Sequence, residues 1–523
     1  MKYLRMTALA GAALLALASG AALAQQKVLR VVPHAELRVL DGYQTSATIT
    51  TMHMGAVLDT LFSWDENGVA QPQMVERYTL SSDKLTYTMT LRPGLKFHDG
   101  TPVTSKDVVA SLNRLVKREV LGRSIEPFLA SIERVDDQTF TIKLNKQFGH
   151  ILFAISGASN LAGIYREKEA LIDLNTPITE PIGSGPFVFN KAEWVPGSKV
   201  VYDKFKDYVP RSEKPSGFAG GKIVKVDRVE YRVIPDSATA FAALNAGEVD
   251  FLDQTTIDLV KTVENNPDVV VGTIWPTEGY GLLRMNQLHP PFNSIKARQA
   301  LALTIDQQEY MTAGIGPQKY WRECHAIWIC GTPYGTEAGS EPYKKQNLER
   351  AKQLMIESGY KGEKVVLMGP AEIAFVKAWT MVTAENLKKI GVNVELILQD
   401  WGSIVARRAK KDPPDTGGWT LFHTGQSASG AHPMTNITAA TTCDAGWFGW
   451  PCDAEIEKVR QAFINETDPV KQKQLAETLH RRLWEENIPL LPVGQYQQPF
   501  LWRKNVTGIL KANTVVFWNI EKN

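Results

Sequence analysis

Residues 85–109 read LTYTMTLRPGLKFHDGTPVTSKDVV, and this run contains a strand, two turns and the start of a helix. Polar and apolar residues alternate over 86–91, which is typical of a strand with one buried face. The Arg-Pro-Gly triplet and the Asp-Gly pair that follow are turn formers. Thr104 and Asp107 lie three residues apart, which is the spacing of a capping box, so we predict that a helix begins there.

The composition is that of an ordinary globular protein with several domains. The chain has 523 residues, of which 44% are hydrophobic, and 58 basic residues balance 56 acidic ones. At roughly 100–200 residues per domain, this length predicts two to four domains. The sequence has no dense basic run, so we expect no nucleic-acid partner.

The first 24 residues have the pattern of a cleavable signal peptide. Lys2 and Arg5 precede an apolar run that is too short to span a bilayer, and Ala22-Leu23-Ala24 is a small-residue cleavage site. An uncleaved anchor is the alternative. No cysteine lies near the cleavage site, so we expect no lipid anchor. The sequence therefore predicts a secreted protein of the periplasm.

The chain has four cysteines, Cys324, Cys330, Cys443 and Cys452. Exported chains form disulfides by default, and the economical pairing joins the first two and the last two. Four cysteines allow three connectivities, so the remaining pairings stay open. A zinc site of four thiolates is the alternative, although C-x5-C and C-x8-C differ from the spacings of common zinc knuckles.

Further runs along the chain accompany the opening stretch. They are PIGSGPF at 181–187, VDRVEYRVI at 226–234, SATAFAALNAGEVDFL at 237–252, KARQALALTID at 296–306 and AENLKKIGVNVELI at 384–397. Together they resemble the extracytoplasmic solute-binding proteins of the peptide/nickel/opine ABC importer family, which is solute-binding protein family 5 with its dipeptide- and oligopeptide-binding proteins. The resemblance covers most of residues 27–515.

The resemblance implies an α/β architecture, the two-lobed periplasmic-binding-protein fold, with a third subdomain inserted in lobe I and a hinge between the lobes. We expect lobe I at residues 25–275, with the inserted subdomain near 55–178. Lobe II is expected at residues 278–485. The C-terminal segment, 487–523, is expected to return to lobe I.

The resemblance also implies which residues line the cleft between the lobes. The candidates are Tyr43, Gln44, Thr45, Gly183, Ser184, Gly185, Arg284, Asn286, Trp401, Thr424, Gly425 and Gln426. Structural alternatives stay open for several of them. Residues 183–185 fit a plain crossing of the chain between subdomains, Arg284 and Asn286 fit structural polar groups, and Trp401 fits core packing.

The candidate site departs from the peptide-binding pattern of the family at two places. Peptide-binding members carry an Asp after a Trp-Thr-Gly-like run, where it holds the ligand ammonium, but Gln426 stands there in this chain. Dipeptide-binding members have an Arg in the region that reads VVLMGPAEIAF here, at 365–375. A free dipeptide is a poor fit, because an unpaired buried charge is costly. We therefore favour an amidated or conjugated peptide, an opine, a glycoside or an aromatic acid.

The sequence thus predicts the substrate-binding component of an ABC importer, a monomer that captures a peptide-like or conjugated small solute and delivers it to the permease transmembrane subunits. We expect no enzyme, because the sequence contains neither a nucleophile elbow nor an H-E-x-x-H motif, and no cofactor. His423 and His432 leave metal capture open. An exported hydrolase on the same scaffold also stays open as a function, as does a ligand-sensing partner of a membrane receptor.

Overall fold

The computed structural model describes residues 26–148, 150–157, 161–180, 182–253, 255, 257–263, 266–275, 278–332, 334–426, 428–466 and 468–523. The predicted signal peptide, residues 1–24, lies outside these ranges. Among the helices within them, none combines the length and the apolar character that crossing a bilayer requires.

The strands are β1 (Val28–Val32), β2 (Phe62–Trp64), β3 (Ala70–Pro72), β4 (Val75–Leu80), β5 (Thr86–Leu91), β6 (Leu129–Arg134), β7 (Thr139–Leu144), β8 (Phe187–Phe189), β9 (Lys199–Lys204), β10 (Arg228–Arg232), β11 (Phe251–Leu252), β12 (Val269–Gly272), β13 (Gly279–Met285), β14 (Trp321–Arg322), β15 (Val365–Pro370), β16 (Val394–Gln399), β17 (Leu421–Gln426), β18 (Leu490–Tyr496), β19 (Phe500–Arg503), β20 (Val506–Thr507) and β21 (Glu521–Lys522).

The α-helices are α1 (Thr48–Val57), α2 (Ser105–Arg118), α3 (Val120–Ile125), α4 (Ile151–Ala154), α5 (Glu167–Ala170), α6 (Ser237–Ala246), α7 (Ile257–Val263), α8 (Ile295–Ala302), α9 (Gln307–Gly314), α10 (Leu348–Glu357), α11 (Ala374–Lys389), α12 (Trp401–Arg407), α13 (Ala454–Asn465) and α14 (Pro469–Arg482).

A seven-stranded sheet forms the centre of the first lobe, with the strand order β12-β19-β11-β1-β10-β9-β8. β1 pairs in parallel with β10 and with β11. β19, which is close to the C-terminus, pairs antiparallel with β11 and β12. The end of the chain therefore returns to the first lobe.

A six-stranded sheet forms the second lobe, with the order β14-β18-β13-β17-β15-β16. β18 belongs to this sheet, because it pairs antiparallel along β13 and is buried throughout. We expected the return to lobe I to begin at residue 487, but the crossing falls after β18, at 497–499. The expectation failed because the pairing joins segments that are far apart in sequence, and no local signal reports it.

The opening stretch of the sequence lies in a third, four-stranded sheet with the order β4-β5-β7-β6. Along β5 every second residue is buried, and Tyr87, Met89 and Leu91 form the inner face. The main-chain N–H of Thr104 donates to the Asp107 carboxylate at 2.9 Å, which completes the capping box at the start of α2. The structure thus confirms the predicted strand and helix.

The inserted subdomain also contacts the second lobe. Phe463 of α13 and Ala476 of α14 belong to the same buried apolar cluster as Met89 of β5. A second, larger cluster runs under both large sheets and includes Tyr202 of the first lobe and Leu283 of the second. The two lobes therefore lie against each other along extended apolar surfaces in this structure.

Both disulfides are the predicted ones, Cys324–Cys330 and Cys443–Cys452. The second closes a loop that carries Trp447, Phe448 and Trp450. This loop borders the site described next.

Candidate functional site

A cavity of about 1200 Å³ lies between the two large sheets, and both lobes line it. The lining of the first lobe includes Ser46, Thr51, Trp64 and Phe218, and that of the second includes Trp401, Arg408, Gln426, Trp447 and Tyr496. Of the residues predicted from the sequence, Trp401, Thr424, Gly425 and Gln426 all lie on this wall. We call this space the cleft.

Trp401 is placed by the start of α12. The Asp400 carboxylate caps this helix by accepting from the main-chain N–H of Ser403 at 2.8 Å. The main-chain N–H of Trp401 donates to Glu372 Oε1 at 2.6 Å. The indole is 6% exposed and lines the cleft, so the end of β16 and the cap of α12 hold one flat apolar wall in position.

Arg408 directly follows α12 as its C-cap and shares the cleft wall with Trp401. Its guanidinium carbon lies 5.5 Å from the ring centre of Trp401 and 5.3 Å from that of Trp447, and Phe422 and Phe448 provide two more rings at 5.6 and 4.8 Å. The side chain is buried, and its Nε and Nη2 have no hydrogen-bond partner among the described residues. Burial lowers its pKa to about 9, so it remains a cation at neutral pH.

Sequence reasoning missed Arg408. The run QDWGSIVARRA was recognised only for its tryptophan. A signal was present, however, because Arg408 follows Trp401 by seven residues, and two helical turns bring residues with this spacing to the same face. Arg407, one residue earlier, turns away and donates through Nε and Nη2 to the Gly418 carbonyl at 3.0 and 2.7 Å.

Gln426 is engaged by the protein itself. Its Oε1 accepts from the Tyr280 hydroxyl at 2.6 Å and from the Thr438 hydroxyl at 3.3 Å. Asn436 extends this network by donating from Nδ2 to Tyr280 Oη at 3.2 Å. The amide oxygen therefore accepts hydrogen bonds from protein hydroxyls, and it cannot supply the negative charge that an Asp would bring to this position.

Charge is distributed unequally on the two sides of Trp401. A neighbouring cavity of about 1230 Å³, which shares His34 with the cleft, is lined by carboxylates that include Glu36, Asp236, Glu372 and Asp400. Burial raises the pKa of Glu372, and its Oε2 has no hydrogen-bond partner among the described residues. Arg408 therefore brings a cation to the cleft, whereas the carboxyl groups line the neighbouring cavity.

Tyr43, Gln44 and Thr45 lie beside the cleft rather than on its wall. They line an adjoining cavity of about 970 Å³ that shares Ser46, Ile437 and Trp447 with it. The Tyr43 hydroxyl donates to the Gly163 carbonyl at 3.0 Å, and Gln44 accepts from Arg118 and donates to the Leu174 carbonyl. Their polar atoms thus hold the loop in place.

Residues 183–185 form a close crossing of the chain. The main-chain N–H of Gly185 donates to the Val57 carbonyl at 2.9 Å, and His98 donates to the carbonyls of Gly183 and Gly185. A Cβ at Gly183 would lie 1.8 Å from the Val57 carbonyl oxygen. Ser184 is buried in the same crossing. None of the three is among the residues that line the cleft in the described part of the chain.

Arg284 and Asn286 lie behind the cleft wall and are buried in the protein. Arg284 donates to four main-chain carbonyls, those of Thr438, Trp447, Phe448 and Pro489, at 2.5 to 3.1 Å. The Asn286 amide donates to the Trp419 carbonyl at 3.0 Å. The structure therefore gives both residues a supporting place rather than the ligand-facing place that we expected, because loops distant in sequence cover them.

The two histidines considered for metal capture lie in separate surroundings. His423 is buried beside Thr383, with 2.7 Å between Nε2 and the hydroxyl oxygen. His432 packs among aromatic rings that include Tyr334 and Phe463. Within the described ranges, no group of three or more His, Cys, Asp or Glu side chains is arranged to hold a metal ion.

Comparison with known proteins places this geometry in a family. The family model for the middle part of the bacterial extracellular solute-binding proteins of family 5 matches residues 69–447. A similar protein of Sinorhizobium fredii, described as a probable peptide ABC transporter periplasmic-binding protein, y4tO, is 38% identical over 507 residues, which cover 96% of this chain and 94% of that protein. The glutathione-binding protein GsiB of Pectobacterium atrosepticum is 27% identical over 398 residues, covering 75% of this chain and 72% of GsiB.

Solved structures share the two-lobed fold. The binding protein AgaA from A.tumefacien R10, in complex with agropinic acid, has a TM-score of 0.77 at 22% identity and covers 95% of this chain and 99% of its own. The oligopeptide-binding protein AppA from Bacillus subtilis, in complex with a nonapeptide, has a TM-score of 0.80 at 21% identity with the same coverage. The family model spans more than half of the chain, and y4tO is similar over nearly all of it. The chain therefore belongs to the bacterial extracellular solute-binding proteins of family 5.

Proposed function

We propose that this solute-binding protein captures a small, peptide-like or conjugated solute between its lobes and delivers it to the transmembrane subunits of an ABC importer. The observation that carries the proposal is the cleft, whose walls come from both lobes. A solute held there contacts both lobes at once, so binding favours the closed arrangement over an open one.

Polar contacts between the lobes support this closing motion. The Trp447 indole N–H donates to the Ser46 hydroxyl at 2.9 Å. On the other side, Arg38 donates to the Ser403 hydroxyl at 2.9 Å and pairs with Asp400 at 3.1 Å. In the described part of the chain, β12 is followed by β13 of the second large sheet, and β18 is followed by β19 of the first. Such connections are where a hinge absorbs the change in backbone angles.

The ligand contacts in this proposal come from Trp401, Thr424, Gly425 and Gln426 on the second lobe, with residues 43–45 at the adjoining cavity. The protein works in the periplasm, after export through a cleavable segment at residues 1–24. It binds its solute without covalent chemistry. The description of y4tO as a periplasmic-binding protein supports this location.

Equilibrium dialysis against the small-molecule fraction of a periplasmic extract tests the proposal. Wild-type protein should accumulate a solute in its compartment, and Thr424→Trp, which fills the cleft, should not. Thr416→Trp is the matched control, because it makes the same change at an exposed position outside the cleft. Accumulation by Thr424→Trp equal to that of the wild type would place the solute elsewhere and overturn the proposal.

The same experiment separates a binding protein from an exported hydrolase. A binding protein releases its solute unchanged on denaturation, so the released mass must match a mass already present in the extract. A mass that appears only after incubation with wild-type protein, and not with Thr424→Trp, would show turnover in the cleft.

A further inference from the structure

We propose that Arg408 binds a carboxylate of the captured solute, and that the cleft therefore selects a carboxylate anion with a flat or apolar body. This inference rests on the proposed function, since it names the class of solute that the cleft takes.

Three more buried arginines show how this chain satisfies such a cation. Arg284 donates to four main-chain carbonyls. Arg114 pairs with Asp41 at 3.4 Å and donates to main-chain carbonyls, and Arg298 donates to the carbonyls of Asn487 and Phe292. In each case at least two protein oxygens accept hydrogen bonds from the guanidinium. Arg408 is just as buried, but its guanidinium contacts aromatic rings instead of protein oxygens. Of these four arginines, Arg408 is the one that lines the cleft.

The aromatic surroundings keep Arg408 charged without occupying its donors. Cation–π contacts stabilise the charge through the faces of the rings. They leave the N–H groups, which point outward in the guanidinium plane, free for an acceptor. Since an unpaired buried charge costs several kcal/mol, an oxygen anion that enters the cleft gains more here than it would in water.

The geometry of the donors favours a carboxylate. A guanidinium presents a planar fork of N–H groups that matches the two oxygens of a carboxylate. Trp401 and Trp447, whose rings flank Arg408, line the cleft and offer flat apolar walls to the rest of the solute.

A matched pair of probes tests this assignment directly. Phenylpropionate and phenylpropionamide have nearly the same shape and differ in charge. The difference between their affinities, measured by isothermal titration calorimetry, therefore gives the contribution of the negative charge. Wild-type protein should bind phenylpropionate and bind the amide at least about tenfold more weakly, as expected for a lost hydrogen bond to a charged group. Arg408→Gln should bind both probes weakly and no longer distinguish them.

Two further variants complete the test. Arg407→Gln removes the neighbouring guanidinium, which donates to the Gly418 carbonyl, and should bind phenylpropionate as the wild type does. Arg408→Lys keeps the charge but loses the planar fork, so its affinity should fall between those of the wild type and Arg408→Gln. If Arg408→Gln does not fold, Arg408→Lys still tests the proposal. Affinity of Arg408→Lys for phenylpropionate equal to that of the wild type would then show that the planar guanidinium does not bind the carboxylate.

The outcomes separate this inference from the proposed function. Equal binding of the two probes by the wild type, no binding of phenylpropionate, or undiminished binding by Arg408→Gln would each overturn the role of Arg408. Solute capture in the cleft would still stand in all three cases if dialysis shows accumulation that Thr424→Trp abolishes. If dialysis shows no accumulation of a solute while phenylpropionate still binds through Arg408, the anion site stands and the proposed transport role is contradicted.

Discussion

The guanidinium carbon of Arg408 lies 5.3 Å from the ring centre of Trp447, and that of Arg284 lies 5.0 Å from the same ring. Two buried cations therefore contact one indole ring, but their N–H groups differ in the hydrogen bonds that they make. Arg284 holds the loop through the carbonyls of Trp447 and Phe448. Arg408 contacts the rings and keeps Nε and Nη2 without a protein partner among the described residues. Arg284 supports the wall of the cleft from behind, and Arg408 lines the cleft.

The first prediction contrasts these two arginines in stability. Arg284→Gln leaves several buried carbonyls without donors, so it should lower the free energy of unfolding by about 3 kcal/mol or more. Arg408→Met removes an unpaired buried charge, so it should leave the free energy of unfolding unchanged or raise it by about 1 kcal/mol. Urea denaturation of the ligand-free proteins measures both. Equal losses in the two variants would show that the protein, rather than a solute, satisfies Arg408.

The second prediction concerns the flat wall of the cleft. Trp401→Ala should weaken solute binding by about tenfold or more, since a buried aromatic side chain contributes about 1.5–3 kcal/mol through apolar contact. Trp321→Ala is the matched control, because Trp321 lies in β14, outside the cleft lining, and donates from its indole to the Gly316 carbonyl. Titration with the solute recovered from wild-type protein gives both affinities. Equal affinities would remove Trp401 from the site.

The third prediction separates the two disulfides by function. Cys443→Ser with Cys452→Ser frees the loop of Trp447, so it should weaken solute binding, whereas Cys324→Ser with Cys330→Ser should affect binding less. Each pair should cost about 2–3 kcal/mol of stability, because both close short loops. Thiol titration of denatured wild-type protein without reductant should find no free thiol. Four free thiols would contradict both disulfides.

The fourth prediction is a loss of stability in acid. Burial lowers the pKa of His53, His423 and His432 to about 3 each. In the unfolded chain these imidazoles have a pKa of about 6.5, so between about pH 6.5 and 3 the unfolded state binds protons that the folded state does not. The free energy of unfolding should therefore fall on acidification through this range, by up to about 1.4 kcal/mol per pH unit for each histidine.

A single substitution isolates one histidine from the carboxylates that also titrate in acid. His432 packs against Tyr334 and Phe463, so a phenyl ring suits its surroundings. His432→Phe should give a shallower decline of the free energy of unfolding between pH 6.5 and 4 than the wild type, measured by urea denaturation. Identical slopes would mean that His432 is protonated in the folded protein.

Local signals predicted the local structure well. The alternation at 86–91 and the spacing of Thr104 and Asp107 are properties of a few consecutive residues, and the structure has the strand and the capping box there. The disulfide pairing followed from short loops in the same way. Such features depend on neighbours in sequence, which a single chain displays directly.

Features that depend on distant segments were missed. Arg284 has the sequence pattern of a ligand contact after the hinge, but a loop about 160 residues later covers it. β18 has the composition of a turn-rich return to lobe I, but it is buried beside β13. Arg408 was overlooked because its surroundings include three rings on two other segments, Phe422 in β17 and Trp447 with Phe448 in the loop of the second disulfide. In each case, contacts with segments distant in sequence determine how buried the residue is and what it contacts.

Native mass spectrometry of protein taken directly from a periplasmic extract tests the central claim, that the cleft captures an acid at Arg408. Wild-type protein should carry a small molecule that on release proves to be a carboxylic acid with an apolar or aromatic body. Arg408→Gln, purified in parallel, should be empty, and Arg407→Gln should carry the same mass as the wild type. A neutral or amine-bearing solute that both wild type and Arg408→Gln retain would contradict the account.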